Sequence, residues 1–234
     1  MRSLANTSWA VAKLLFDDRP FIASIAAAAK AKIAAFNPQG LANTAWAMAA
    51  LRFSDGPLLD AIAAQALPTM PEFVTQNLSN MAWAFAALSV GNEPLREAIS
   101  AEAISKMSAG DPQFIANTLW AFAALRFNAL GIEPLARQAA AQATGFDPQG
   151  LSNTAWSLAR LEYDDPPLMD ALAAEALRRL PQYDAQALGN TAWAFAALGL
   201  RDRQLMNAIA AASRALISDF NPQNLANIAW AYAR

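Results

Sequence analysis

All seven tryptophans of this 234-residue chain stand in register. Trp9, Trp46, Trp83, Trp120, Trp156, Trp193 and Trp230 are separated by steps of 37, 37, 37, 36, 37 and 37 residues. An Asn stands three residues before each one: Asn6, Asn43, Asn80, Asn117, Asn153, Asn190 and Asn227. A Gln stands seven residues before all but the first: Gln39, Gln76, Gln113, Gln149, Gln186 and Gln223, with Arg2 in the first copy. A unit this short cannot bury its apolar side alone, so a period of this length marks units that share a core with their neighbours. The expectation is a single helical-repeat array over 1–234, with repeats at roughly 1–36, 37–73, 74–110, 111–146, 147–183 and 184–220 and a partial unit at 221–234. The chain starts inside one unit and stops four residues after Trp230, so its ends are expected to be uncapped, either in a fragment of a longer array or in one that covers its ends by other contacts.

Each unit reads as two helices. In the second copy Asn37 is placed as an N-cap, whose side-chain oxygen accepts from an orphan first-turn amide. Pro38 follows at the first helical position, where its missing N–H costs nothing. Phe36 precedes the cap and can pack on Leu41 as a hydrophobic staple. The device recurs at Asp111-Pro112, Asp147-Pro148 and Asn221-Pro222, and Asp184-Ala185 keeps the cap without the Pro. This first helix, helix A, runs to about Leu51. Helix B opens near Pro57, Pro94, Pro134 or Pro167 and ends before the next aromatic, at Phe73, Phe146, Tyr183 or Phe220. Alanine, the best helix former, is the dominant residue. The fold class is therefore all-α: a right-handed α-solenoid of about six 37-residue helix-turn-helix repeats.

On a wheel of about 100° per residue with Trp at zero, Gln falls near ~20° and Asn near ~60° of the A helix. The position four after Trp (Lys13, Arg160 and Arg234 among mostly Ala) falls near ~40°. Large apolar residues such as Leu41 and Met48 lie opposite, and small ones such as Ala42, Ala45 and Ala49 lie to one side, where they let adjacent A helices approach. The remaining stripe of Gln, Asn and Trp becomes a ladder when the units stack. Two readings of it stay open. Each Asn can hydrogen-bond a neighbouring helix while each Trp fills the gap between repeats, since buried amides need partners. Alternatively the ladder meets a periodic ligand, amides pairing with base edges and indoles stacking on bases. Discrimination between bases would need positions that vary from unit to unit. Two such columns are Gly40, Asn77, Phe114, Gly150, Ala187 and Asn224, six before Trp, and Thr44, Met81, Thr118, Thr154, Thr191 and Ile228, two before it; the Lys13/Arg160/Arg234 position also varies.

Composition limits the chemistry. The chain has no Cys and no His, which removes thiolate ligands, disulfides and His-based catalytic triads. No run of about 18 apolar residues is present to span a membrane. Carboxylates such as Asp17-Asp18 and Asp164-Asp165 fall between helices and look like caps, and no phosphate-binding Gly loop or metal constellation appears. The reading is a non-enzymatic module without cofactor or metal.

The unit Pro38 to Leu51, and its Leu-x-Asn-x-x-Trp-x-x-Ala-x-Leu core above all, resembles the octotricopeptide and heptatricopeptide repeat proteins, which are related to the FAST kinase domain family. The resemblance covers essentially the whole chain. It implies an α-solenoid that binds single-stranded RNA in mitochondria or plastids and acts in transcript processing, stability or translation. Many such proteins carry a C-terminal RAP domain; none is present here, and no cleavage activity is carried over. The candidate RNA-binding residues are the Asn and Gln ladders from Gln39 and Asn43 to Gln223 and Asn227, together with Asn77, Asn224, Lys13 and Arg160. A net charge of −2 departs from the basic surplus that usually accompanies phosphate binding. Arg52, Arg126 and Arg201, just past helix A, are the best candidates for phosphate contact. The competing reading is a protein–protein scaffold, because solenoids present long surfaces to peptides equally well.

Overall fold

The computed structural model describes residues 2–14, 16–106, 110–124 and 132–234. Among them every regular element is a helix, and the helices alternate between two layers as in an α-solenoid. The A helices are α1 (Arg2–Lys13), α3 (Pro38–Ala50), α5 (Thr75–Ala87), α7 (Pro112–Ala124), α9 (Pro148–Arg160), α11 (Ala185–Ala197) and α13 (Pro222–Ala233). The B helices are α2 (Arg19–Ala31), α4 (Gly56–Ala66), α6 (Glu93–Lys106), α8 (Ile132–Ala141), α10 (Pro166–Arg179) and α12 (Arg203–Ala215). The chain divides into two compact units, Met1–Ala109 and Gly110–Arg234. In the first, α3 packs between α1 and α5, and α4 between α2 and α6. In the second, α7, α9, α11 and α13 follow one another in the A layer, with α8, α10 and α12 beside them.

Local chemistry fixes where each A helix begins. Asn37, Asp111, Asp147, Asp184 and Asn221 each accept the backbone N–H three residues on, at 2.7 to 2.9 Å. The inter-helix carboxylates do the same for the B helices: Asp18 accepts from the Phe21 N–H and Asp165 from the Leu168 N–H. The helices α3, α5, α9 and α11 each leave through a left-handed residue, Arg52, Ser89, Glu162 and Gly199 in turn. At Arg52 the exit is a Schellman turn: Phe53 N–H donates to Met48 C=O at 2.8 Å and Arg52 N–H to Ala49 C=O at 3.0 Å. A feature the periodicity does not reveal follows most B helices: a short 3-10 turn, at Ile33–Ala35, Leu67–Glu72, Ala143–Gly145, Leu180–Gln182 and Ile217–Asp219, which delivers the staple aromatic.

The core lies between the layers. Leu41, Leu78, Leu151 and Leu188 are at most 1% exposed, as are Met48, Phe122 and Leu158 one turn or two along. Leu225, the same position in α13, is 43% exposed. Burying one such leucine contributes roughly 1.5–3 kcal/mol. On the side, Ala42, Ala45 and Ala49 are buried, and the A helices pack on one another more closely than the B helices do.

Polar side chains at the ends of the B helices tie successive repeats together. Lys106 Nζ donates to the carbonyls of Pro71 and Phe73, at 2.7 and 2.6 Å. Gln142 Nε2 donates to Gly110 C=O at 3.0 Å, and Arg179 Nη2 to Thr144 C=O at 2.9 Å. Buried Glu175 accepts from Arg178 and Arg179 and so holds Arg179 in place. The hydrogen bond from Arg178 is the main reason its carboxyl is held down at about 2.

Candidate nucleic-acid interface

The residue order of an A helix dictates what its open face shows. The cap pins the first turn, Pro or its substitute starts the helix, and the next residue, Gln, points outward. Gln39, Gln76, Gln113, Gln149, Gln186 and Gln223 are all exposed. One turn on, Asn43, Asn80, Asn117, Asn153, Asn190 and Asn227 are half-buried, and so are the indoles of Trp46, Trp83, Trp120, Trp156 and Trp193 after them. Trp9 and Trp230 are 44% and 39% exposed.

The indoles form ladders within each unit. Trp46 and Trp83 have ring centroids 6.2 Å apart and tilted by 32°. Trp156, Trp193 and Trp230 follow at 6.3 and 6.0 Å, tilted by 38° and 32°. Each ring thus partly covers the next while its outer edge stays open. Lys13 Nζ lies 5.5 Å from the Trp9 ring and 5.4 Å from that of Trp46, so this cation straddles two rungs. The Arg234 guanidinium lies 5.4 Å from Trp230. Arg160 is exposed, with no ion-pair partner among the described residues.

The carboxamides behave differently from the indoles. Among the described residues no hydrogen bond involves the side chain of any ladder Asn or Gln. The Asn amides therefore do not tie one helix to the next. Packing of small and apolar side chains does that, and the amides are left as unpaired donors and acceptors on a half-buried face.

The variable columns six and two before Trp are placed elsewhere than the open face. Asn77 and Asn224 are each 7% exposed, and Phe114 and Ala187, in the same column, are 2% and 4% exposed. This column lies against the staple aromatic. A Cβ on Gly40 would come 3.0 Å from Phe36 Cδ1, and one on Gly150 2.9 Å from Phe146 Cδ1. In the repeat whose staple position is Gly110, Phe114 itself supplies the buried ring. Variation at this column is complementary packing, and Asn77 and Asn224 are removed from the face a ligand can reach. The second column is buried as well except at Ile228, which is half-buried: Thr44 is fully inaccessible and its Oγ1 donates to Gly40 C=O at 2.8 Å, while Met81, Thr118, Thr154 and Thr191 are at most 2% exposed.

Between consecutive A helices of the second unit the ladder opens into clefts. One, of about 290 Å³, is lined by Gln113, Asn117, Gln149 and Asn153 with the caps Asp111 and Asp147. The next, of about 300 Å³, is lined by Gln149, Asn153 and Gln186 with Asp147 and Asp184. Among the described residues neither lining contains a Lys or Arg. The cap residues are thus part of the polar surface. Reading them as caps alone hides this, because capping occupies only one of the two carboxylate oxygens.

Of the three arginines past helix A, Arg52 and Arg201 are exposed and Arg126 lies outside the described residues. Arg52 carries a left-handed φ of 50°, and its carbonyl accepts from Arg19 Nη1 at 3.4 Å. Among the described residues no group of three or more acidic side chains is placed to hold a metal ion, and no helix is long and apolar enough to cross a membrane.

The family model described as RNA-editing substrate-binding complex 6 protein matches residues 5–234, and the chain belongs to that family. No curated protein matches it.

Proposed function

We propose that this member of the RNA-editing substrate-binding complex 6 protein family is a non-enzymatic module that binds single-stranded RNA through the Gln–Asn–Trp face of its A helices. The observation that carries this reading is the row of half-buried Asn side chains without hydrogen-bond partners among the described residues, repeated beside the indole rungs. A carboxamide offers both a donor and an acceptor, and so does the edge of an unpaired base. Aromatic faces and edges give sequence-tolerant contact area to the same ligand. The family's description supports the reading, and so does the likeness of the repeat core to octotricopeptide and heptatricopeptide arrays, which also favours a mitochondrial or plastid site of action. Lys13, Arg160, Arg52 and Arg201 supply the few phosphate contacts.

A protein ligand is the second reading. It is favoured by the clefts without cations and the net charge of −2, since phosphate contacts usually dominate RNA affinity. Selection from a random single-stranded RNA pool at two salt concentrations separates the two. Enrichment of a common sequence, with affinity that falls only gently with salt, is the expected result. A pool that emerges unenriched while the protein captures extended peptides refutes the RNA reading.

A further inference from the structure

The columns six and two before Trp are buried apart from Ile228, so discrimination at a cleft has to come from other variable groups that reach it. One column varies and is exposed throughout: the cap position, with Asn37, Val74, Asp111, Asp147, Asp184 and Asn221 in successive repeats. In the second unit three of these line the two clefts beside the ladder carboxamides. Each uses Oδ1 to accept an amide of its own helix: Asp111 from Phe114, Asp147 from Gly150 and Asp184 from Ala187. Oδ2 has no partner among the described residues. The capping bond holds each carboxylate in one rotamer, so its second oxygen is a preorganised acceptor at the cleft wall.

This inference rests on the RNA reading above. We propose that Asp111, Asp147 and Asp184 are specificity-determining residues that make the two clefts prefer adenine and cytosine to uracil. An ionised carboxylate only accepts hydrogen bonds. Adenine and cytosine carry an exocyclic amine that donates to it, whereas uracil presents a carbonyl oxygen at the equivalent edge. Among the described residues the lining offers no cation for a phosphate, so the base enters and the backbone stays outside. The carboxamides of Gln113, Asn117, Gln149 and Asn153 serve the remaining edge atoms with either polarity. Repeats capped by Asn lack this bias, and Val74 offers no polar contact at all.

The test compares the full chain with the triple variant Asp111→Asn, Asp147→Asn, Asp184→Asn. Asn caps a helix as well as Asp does, so the variant keeps its helix starts, and an unchanged urea midpoint confirms this. Both proteins are titrated with 14-nucleotide oligo(C), oligo(A) and oligo(U) RNA at one salt concentration. For the unmodified chain oligo(C) and oligo(A) bind about tenfold more tightly than oligo(U), about threefold for each cleft, as for one net hydrogen bond at each. In the variant that ratio collapses toward one, mainly because oligo(U) gains affinity. RNA binding without a base preference, or with a preference the variant keeps, overturns this assignment and leaves the RNA reading standing. No binding to any of the three RNAs overturns both.

Discussion

Replacing Asn153 and Asn190 together by Ala separates the two roles the ladder could have. Both side chains are half-buried, on adjacent A helices, and neither has a hydrogen-bond partner among the described residues. Were each amide bonded to the neighbouring helix, truncation would orphan a buried group and cost about 1–3 kcal/mol per site, or roughly 2–6 kcal/mol for the pair. With no bond to lose, the loss of a few packing contacts is offset by the better helix propensity of Ala, and each site should change stability by no more than about 0.5 kcal/mol. RNA affinity should fall instead, by about threefold per carboxamide and tenfold for both, as for the loss of one net hydrogen bond at each. Urea denaturation followed by circular dichroism reads the first quantity and fluorescence anisotropy with the selected RNA reads the second. A variant destabilised by 2 kcal/mol or more that binds RNA as before would show the amides to be structural and refute the argument.

Further outcomes follow from the same contacts. Trp193 stacks against Trp156 and Trp230, so Trp193→Ala removes two ring contacts worth about 0.5–1.5 kcal/mol each beyond area; the thermal midpoint should fall well below that of Asn190→Ala. Glu175 is held at about 2 from an ordinary 4.5. A depressed folded-state value means its contribution is complete above about pH 4.5 and is lost as pH falls through 2, so Glu175→Gln should be destabilised at pH 7, by about 2 kcal/mol after discounting solvent around Arg178, with most of that deficit gone at pH 2; equal deficits at both pH values would refute the linkage. Glu162 exits its helix at φ 54°, where Gly199 serves another repeat. Glu162→Gly should raise the urea midpoint by about 0.5–1 kcal/mol equivalent, because the left-handed region costs an L-residue more than Gly loses in chain entropy.

Much of this molecule is legible from its period. The caps at Asn37, Asp147 and Asp184, the buried Leu41 and Met48, and the open Gln and Asn columns all follow from residue type and a wheel of about 100° per residue. The same wheel puts the columns six and two before Trp near ~120° and ~160°, amid the apolar positions, so their burial was available to the same arithmetic. What makes them variable is a three-dimensional fit, such as Phe114 beside Gly110, which no single helix displays. The non-Gly exits at Arg52, Ser89 and Glu162 and the reach of Lys106 and Arg179 to the preceding repeat depend on tertiary closure and leave no local signal. The cap carboxylates were visible but their second oxygen was not, because sequence gives a residue one duty at a time.

The close contact between A helices has a metrical consequence. The distance from one indole to the next is inherited from columns of small residues, mostly Ala with Ser and Gly189 among them, and Leu119 in α7 is the large side chain in those columns. Enlarging such a column, as in Ala45→Val or Ala192→Val, spreads the rungs and accumulates with every copy changed. A polymer with a fixed monomer length would then slip out of phase with its binding sites, so the seam acts as the gauge to which any chain-like ligand must conform.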